Sequence, residues 1–450
     1  MPCRTASPRD EGGIELRIRS SLFVLVLAGL IPASAATLDA SRDLDTYPPL
    51  LLEGGTQNVA TNSAGFYDFG DKNGDGTRDD PVVPAGLNMG NRSLYSDKEN
   101  SSHIRLNLNG GDLISTNGNI TTSNRRSTGN IVIRNVGTLS MGNGTLVSGW
   151  SGGGYGGDWN PNGSILIGQD GTEGPRAGDI QAASISSYTS WFRSAGDVVI
   201  HSSGDVLIKN SSGTPGSLES HQWNGSGDSG AIQIRHDGTF LAGNILALVA
   251  QGRANPGAVL LDGDTLNDGP SGTFTADLVD THDRVLTWGA HPGYVASITI
   301  RNYAGVTLGS IDTRMKAGNG AAGSLSITGI TGNVLISGGI DLDGYLTNGS
   351  SDGNLALEAS GIIEVQDLDL DRVGTATFTS AKESIIAGVL SNFNTNNPAA
   401  SGLVEGGGGN IYYNPEANPD LLTGGDLGRY ALSSGVLKPN WPRPMLLKIR

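Results

Sequence analysis

One short phrase recurs along this chain and limits the folds that it can adopt: a glycine or other small residue followed by alternating apolar positions. It reads GNIVIRN from Gly129, GSILIGQ from Gly163 and ASITIRN from Ala296, and it occurs nine times with starts 21 to 39 residues apart. Strict alternation over about four to eight residues indicates a strand with one buried face. A repeat of about 20 to 50 residues is typical of a solenoid or a propeller.

A second strand usually follows the first within each repeat, as in GDVLIKN from Gly204 and GNVLISG from Gly332. The intervening sequence shows no convincing amphipathic helix, which argues against an α/β fold, and a WD-type propeller lacks its Trp-Asp signature. The pattern therefore predicts an all-β fold, a right-handed parallel β-helix (β-solenoid), over residues 101–395. The side chains expected to stack inward are Ile131, Ile133, Ile165, Ile167, Ile232, Ile234, Ile298, Ile300, Leu325 and Ile327.

The N-terminal sequence is typical of a secretory signal peptide. Arg17 and Arg19 precede an apolar run over residues 22–31, and Ala33–Ala35 supplies an A-x-A cleavage site. The alternative, a membrane anchor, is disfavoured because a span requires about 20 apolar residues. The predicted order is a signal peptide (1–35), a short N-terminal cap (36–100), the β-helix (101–395) and an irregular C-terminal segment (396–450). We therefore expect a secreted or cell-surface protein with no membrane span after cleavage near Ala35.

Charge and cysteine content narrow the possible partners. The formal net charge is −15, and removing residues 1–35, with four Arg against one Asp and two Glu, makes it −16. An acidic surface repels phosphate groups, so nucleic-acid and anionic-lipid binding are not expected. Cys3 is the only cysteine and lies within the predicted signal peptide, so the mature chain has no disulfide or thiolate chemistry. Export without cysteine at this length suits a bacterial exoprotein.

The export signal, the Gly-capped alternating strands and the Asn/Ser/Thr-rich turns resemble the right-handed parallel β-helices of filamentous-haemagglutinin-like and autotransporter-passenger exoproteins. The resemblance covers residues 101–395 and rests on patterning, since no family-defining motif is present. It implies a secreted or cell-surface protein with a structural or adhesive role.

The stretch DKNGDGTRDD, residues 71–80, predicts a calcium loop. Oxygen ligands at alternate positions with glycine at the sixth match the requirements of Ca²⁺. The expected ligands are the side chains of Asp71, Asn73, Asp75 and Asp79 and the carbonyl of Thr77, around Gly76. Position 12 is Val82 where an EF-hand has a bidentate Glu, so we expect weak affinity, and a solvated polar turn is the alternative reading.

Catalytic candidates are few. The best acid–base group is Asp280, His282, Asp283 and Arg284, because histidine flanked by carboxylates can transfer protons near neutral pH. The β-helix is also the scaffold of polysaccharide lyases and hydrolases, whose sites use clustered acidic and basic residues. A turn between coils explains the same residues more simply, so no catalytic residue is predicted and this group is held as a candidate only.

A second acidic run has a simpler explanation. Asp367, Asp369 and Asp371 alternate with Leu368 and Leu370. A spacing of two places the carboxylates on one face of a strand and the leucines on the other. This pattern predicts a solvated outer face.

Several aromatic residues occur close together in the first half of the predicted β-helix. Exposed rings could stack on sugar faces, and the alternative is that they cap the core where a coil bulges. The candidate glycan-binding residues are Trp150, Tyr155, Trp159 and Trp191, with Tyr188 and Phe192 beside the last of them.

The leading hypothesis is a secreted or cell-surface structural or adhesive β-solenoid without catalytic activity, with extracellular glycans or other surface proteins as partners. The first alternative is a polysaccharide-active β-helix enzyme, a lyase or glycoside hydrolase, which requires acidic and basic side chains of adjacent coils to meet in a groove. The second alternative is a glycan-binding module that uses the aromatic residues.

Overall fold

A computed structural model describes residues 50–51, 56–58, 66–69, 87–91, 93–96, 103–108, 110–122, 129–150, 163–168, 176–189, 194–223, 227–249, 255–264, 269–282, 295–314, 321–344, 352–392, 402–407, 410–414, 417–418, 429–433 and 436–440. All of them belong to one compact unit, Ala35–Arg450. Within these ranges, no helix has the length and apolar character needed to cross a membrane.

The strands, numbered along the chain, form two sheets. The described strands of the first sheet are β3 (Phe66–Phe69), β6 (His103–Asn107), β9 (Ile131–Arg134), β12 (Ile165–Ile167), β15 (Val198–His201), β18 (Ile232–Arg235), β20 (Val259–Asp262), β22 (Ile298–Arg301), β24 (Leu325–Ile330), β26 (Leu355–Ala359), β28 (Ala376–Ser380) and β31 (Leu403–Gly406). Each of them pairs in parallel with the strand that precedes or follows it in this order.

The second sheet contains the other described strands. They are β1 (Leu50–Leu51), β2 (Thr56–Asn58), β4 (Leu87–Gly90), β5 (Ser93–Ser96), β7 (Leu113–Ser115), β8 (Ile120–Thr122), β10 (Leu139–Ser140), β11 (Thr145–Trp150), β13 (Ile180–Ala182), β14 (Ser184–Thr189), β16 (Val206–Ile208), β17 (Ser217–Gln222), β19 (Phe240–Leu246), β21 (Thr273–Asp280), β23 (Gly305–Asp312), β25 (Val334–Asp341), β27 (Ile363–Asp369), β29 (Glu383–Ile386), β30 (Leu390–Ser391), β32 (Asn410–Tyr413), β33 (Arg429–Ser433) and β34 (Val436–Asn440). A single 3-10 turn, Leu370–Arg372, follows β27 among the described residues.

Each coil of the chain contributes one strand to the first sheet and one or two segments to the second. Neighbouring coils pair in register: Ile131 lies beside Ile165, and Ile165 beside Val198. Parallel pairing of strands from successive coils defines a β-solenoid, so the predicted parallel β-helix is confirmed. The pairing also reaches beyond residues 101–395, to β1 at one end and to β32 at the other. There β32, β33 and β34 pair antiparallel.

The core lies between the two sheets and consists of the inward positions of the alternating phrase. All ten side chains predicted to stack inward are buried, with at most 1% of their surface exposed. A slip of one residue would have turned the whole set outward, so the alternation also identified the correct face. Larger rings fill the middle of the solenoid, where Phe240 and Phe274 stack with ring centroids 5.0 Å apart.

The glycine that opens the repeated phrase lies at a tight corner between coils. A Cβ atom on Gly163 would lie 1.9 Å from the carbonyl oxygen of Gly129 one coil earlier, and one on Gly353 would lie 1.9 Å from that of Gly323. No side chain fits at such a distance. The glycines recur because the backbones of successive coils touch at this corner.

A column of buried hydroxyl groups stabilises a second corner, where the second sheet turns toward the first. Its members are register partners in successive coils: Thr122, Ser148, Ser187 and Ser220. The Ser148 hydroxyl donates to the carbonyl of Gly163 over 2.6 Å, and that of Ser220 donates to Gly196 over 2.9 Å. These bonds satisfy corner carbonyls that burial would otherwise leave without a donor.

Candidate functional site

Three aspartates end successive strands of the second sheet at the same position. Asp280 ends β21, Asp312 ends β23 and Asp341 ends β25, and each is the register partner of the next. Asp369 ends β27, the following strand. Because the coils stack in register, carboxylates that are about 30 residues apart in sequence become neighbours in space.

His282 lies between the first two of these carboxylates. Its backbone N–H donates to Oδ1 of Asp280 over 2.9 Å, and its Nδ1 bonds to the same oxygen. The same nitrogen lies 3.5 Å from Oδ2 of Asp312. Asp280 is 4% exposed and His282 is 1% exposed, so the histidine is enclosed between the two acids.

Two arginines lie between the remaining carboxylates of the series. Arg314 is placed two residues after Asp312, as His282 is after Asp280, and its guanidinium lies 2.7 Å from Oδ2 of Asp312 and 3.0 Å from Oδ2 of Asp341. Arg372 lies 3.1 Å from the same oxygen of Asp341 and 3.5 Å from Oδ2 of Asp369. We call the set the ionic ladder; it comprises Asp280, His282, Asp312, Arg314, Asp341, Arg372 and Asp369.

Burial and the basic side chains have opposite effects on the pKa of a carboxylate in the ladder. Burial raises the pKa of Asp312, and the charge of Asp280 adds to this effect, whereas His282 and Arg314 partly offset it. Burial and the charge of Asp341 likewise raise the pKa of Asp343, which lies beside the ladder. Carboxylates gathered this closely repel one another, so the basic side chains between them are needed to hold them together.

The ladder could in principle serve a metal or a proton transfer. Nδ1 of His282 and carboxylate oxygens of Asp280 and Asp312 all lie within 4.8 Å of one another, and one imidazole with two carboxylates is a donor set that transition metals accept. In this structure, however, these atoms are bonded to one another and to Arg314. A general acid or base must also reach a substrate, and His282 is almost fully buried. The geometry therefore favours a clamp between coils.

Other residues singled out from the sequence fall in several places. Asp283 and Arg284 lie outside the described residues, as does the predicted calcium loop with Asp71, Asn73, Asp75, Thr77 and Asp79. The same is true of Tyr155, Trp159 and Trp191 and of the Trp150 side chain. In the second acidic run, Asp367 and Asp371 are exposed, Asp369 is half-buried, and Leu368 and Leu370 are buried. The strand ends at Asp369, so Asp371 lies in the 3-10 turn and not on the predicted strand face.

Sequence reasoning missed Asp312, Arg314, Asp341 and Arg372. One signal was present, because Asp280-Thr281-His282 and Asp312-Thr313-Arg314 share the pattern Asp-Thr-basic at the end of an alternating strand. In both copies the threonine points inward and donates a hydrogen bond to a carbonyl, that of Ala296 for Thr281 and that of Gly323 for Thr313. The threonine therefore points to the core, while its two neighbours lie on the opposite face of the strand, where the ladder forms.

Comparison with known proteins gives no relative for this chain. No protein-family model matches it. Searches of curated proteins and of solved structures also find no match.

Proposed function

We propose that this protein is a secreted or cell-surface β-solenoid with a structural or adhesive role and without catalytic activity. The main support is the ionic ladder. Its basic side chains lie between carboxylates of adjacent coils, and Asp280 and His282 at its start are buried. Such an arrangement holds coils together and offers little to a substrate.

The polysaccharide-active alternative requires these groups to converge in an open groove. Asp280 and His282 do meet Asp312 of the adjacent coil, which is the contact that an enzyme would need. Each is nevertheless paired within the ladder, and the exposed ladder member is Arg372 at its far end. An adhesive role suits the fold better, because stacked repeats offer extended outer faces for binding. The predicted signal peptide and the acidic composition also favour a location outside the cell.

Replacing His282 with glutamine should destabilise the protein without removing any activity. The change removes the imidazole that lies between Asp280 and Asp312 and leaves the buried Asp280 without this partner, so we expect the free energy of unfolding to fall by about 3 kcal/mol. Arg372→Gln is the matched control, because Arg372 is half exposed and a surface pair is worth about 0–1 kcal/mol. Urea denaturation of the full chain measures both.

The same samples test for catalysis. Incubation with polygalacturonate and with neutral glucans should release neither unsaturated uronate nor new reducing ends above a heat-denatured blank.

Surface proteolysis of intact producing cells, together with assay of the medium, should locate the protein outside the cell. Product release that His282→Gln abolishes would replace the proposed function with a lyase or hydrolase, and a protein retained inside the cell would contradict it as well.

We further propose that the loop at residues 71–80 binds one Ca²⁺. The carboxylates of Asp71, Asp75 and Asp79 repel one another without a cation, so calcium should raise the melting temperature, with a dissociation constant of about 10⁻⁴ to 10⁻³ M. Calorimetric titration should detect this binding in the wild type and not in the Asp71→Ala, Asp75→Ala double variant. Equal calcium heats in the two proteins would mean that the loop is only a polar turn.

A further inference from the structure

A row of aromatic rings crosses successive coils on the outer face of the second sheet. Tyr188 in β14 and His221 in β17 are register partners, with ring centroids 5.9 Å apart and planes 18° from parallel. Trp223 follows, with its ring centroid 6.1 Å from that of His221, and it is 54% exposed. We call Tyr188, His221 and Trp223 the aromatic row. It lies on the same face as the ionic ladder, on earlier coils.

The backbone around the row holds the rings in place. A Cβ atom on Gly149, the register partner of Tyr188 one coil earlier, would lie 2.2 Å from Cε1 of the tyrosine, so the tyrosine ring lies directly over that glycine. The backbone N–H of Trp223 donates to the carbonyl of Thr189 over 2.7 Å, which fixes the position of the backbone from which the tryptophan side chain extends. A row prepared in this way loses little conformational entropy when a ligand binds.

The polar groups beside the row indicate the chemistry of the ligand. Oε2 of Glu219 lies 3.3 Å from Nδ1 of His221 and accepts a hydrogen bond from the Ser186 hydroxyl over 3.1 Å. Burial raises the pKa of Glu219, but His221 and the hydroxyls of Ser186 and Ser217 outweigh it and lower the pKa overall. An ionised carboxylate only accepts hydrogen bonds, so the ligand must offer donors and must not be anionic.

From this arrangement we infer that the aromatic row binds an uncharged polysaccharide chain, by stacking of a pyranose face on the exposed Trp223 ring, with contact to the edge of the Tyr188 ring and with sugar hydroxyls donating to Glu219. A pyranose combines an apolar face with hydroxyl donors at its edge, which matches flat rings beside an acceptor. Tyr188 and His221 lie on two successive coils, and Trp223 follows His221 within one coil, so the row suits a ligand of more than one sugar unit. Nucleic acids and acidic glycans fit poorly, because the chain carries a net charge of −15.

A protein partner fits less well than a glycan. A stable protein interface needs about 800 Å² from each side and a well-packed apolar centre. The row provides three rings, and an ionised carboxylate lies directly beside them. The glycan assignment rests on the proposed adhesive role, for which it supplies the ligand class.

Affinity electrophoresis of the full chain in native gels tests the inference. The gels contain hydroxyethylcellulose, mixed-linkage β-glucan or galactomannan as neutral probes, and polygalacturonate as an anionic one. We expect at least one neutral polysaccharide to retard the protein, and Trp223→Ala and Tyr188→Ala each to weaken binding about tenfold. Because Trp223 is exposed, its replacement should leave the unfolding midpoint unchanged. Val404→Ala, at another exposed apolar residue, is the matched control and should bind as the wild type does.

Three results would overturn the inference: no retardation by any neutral probe, equal retardation of the wild type and Trp223→Ala, or retardation by polygalacturonate alone. The proposed function fails separately, through product release or retention inside the cell. If the protein lies outside the cell and releases no product, but no neutral polysaccharide retards it, then only the aromatic-row inference is contradicted.

Discussion

Replacing Gly163 with alanine should lower the free energy of unfolding by about 3 kcal/mol. The new Cβ atom would lie 1.9 Å from the carbonyl oxygen of Gly129 and 2.1 Å from its carbonyl carbon. Both are backbone atoms of the preceding coil, so no side-chain rotation relieves the clash. The coils must move apart at this corner, which weakens the pairing of β9 with β12 and the packing of the core beneath them.

Gly339→Ala is the matched control for this experiment. A Cβ atom there meets nothing within 4 Å, although Gly339 also lies in the solenoid, in β25. Alanine at such a position should be neutral or should stabilise the protein by about 0.4–1 kcal/mol through the unfolded chain. Urea denaturation of the two variants measures the difference. Equal midpoints would show that the corner contact between coils is not tight.

Acidification should destabilise the protein through His236. This residue is fully buried, and its Nε2 lies 2.9 Å from the Tyr303 hydroxyl. Burial lowers the pKa of His236 to about 4, while the carbonyl of Gly204 and the charges of nearby aspartates only partly offset it. The aspartates whose charges act on His236 are Asp237, Asp205 and Asp262.

Whether acid raises or lowers the stability depends on whether the folded or the unfolded chain binds more protons. The folded pKa lies below the unfolded value of about 6.5, so the unfolded chain takes up more protons between these values and stability is lost as the pH falls. The whole loss is about 3 kcal/mol, because one pKa unit is worth about 1.4 kcal/mol, and about 2 kcal/mol of it falls between pH 6.5 and 5. Above about pH 7.5, where the histidine of the unfolded chain is also neutral, His236 should contribute no pH dependence.

Urea denaturation near pH 7.5 and near pH 5 measures this loss. The informative variant is His236→Phe, Tyr303→Phe, which removes the titrating ring and the hydroxyl that it would leave without a partner. Tyr303→Phe alone is the control, since it keeps His236. The double variant should lose about 2 kcal/mol less than the control on acidification, and equal losses would assign the acid sensitivity to the carboxylates instead.

The sequence by itself determined the parts of this structure that depend on local pattern. Alternation placed Ile131, Ile165 and Ile298 in the core because a strand repeats every two residues, whatever lies around it. The glycine that opens most of the phrases marked tight corners for a similar reason, since a Cβ atom at Gly163 or Gly353 would meet the backbone of the preceding coil; Ala296 opens one phrase instead. The outward position of Asp367 followed from the same period.

Only the tertiary structure decided which outward residues meet. The starts of the phrase lie 21 to 39 residues apart, so loops of unequal length separate partners that stack directly in space. Asp312 and Asp341 become neighbours through register, and His236 reaches Tyr303 across 67 residues. Tyr188 and His221 likewise face each other only because β14 and β17 pair in one alignment. A period of two specifies the face on which a side chain lies, but the neighbour it meets there depends on how the coils align.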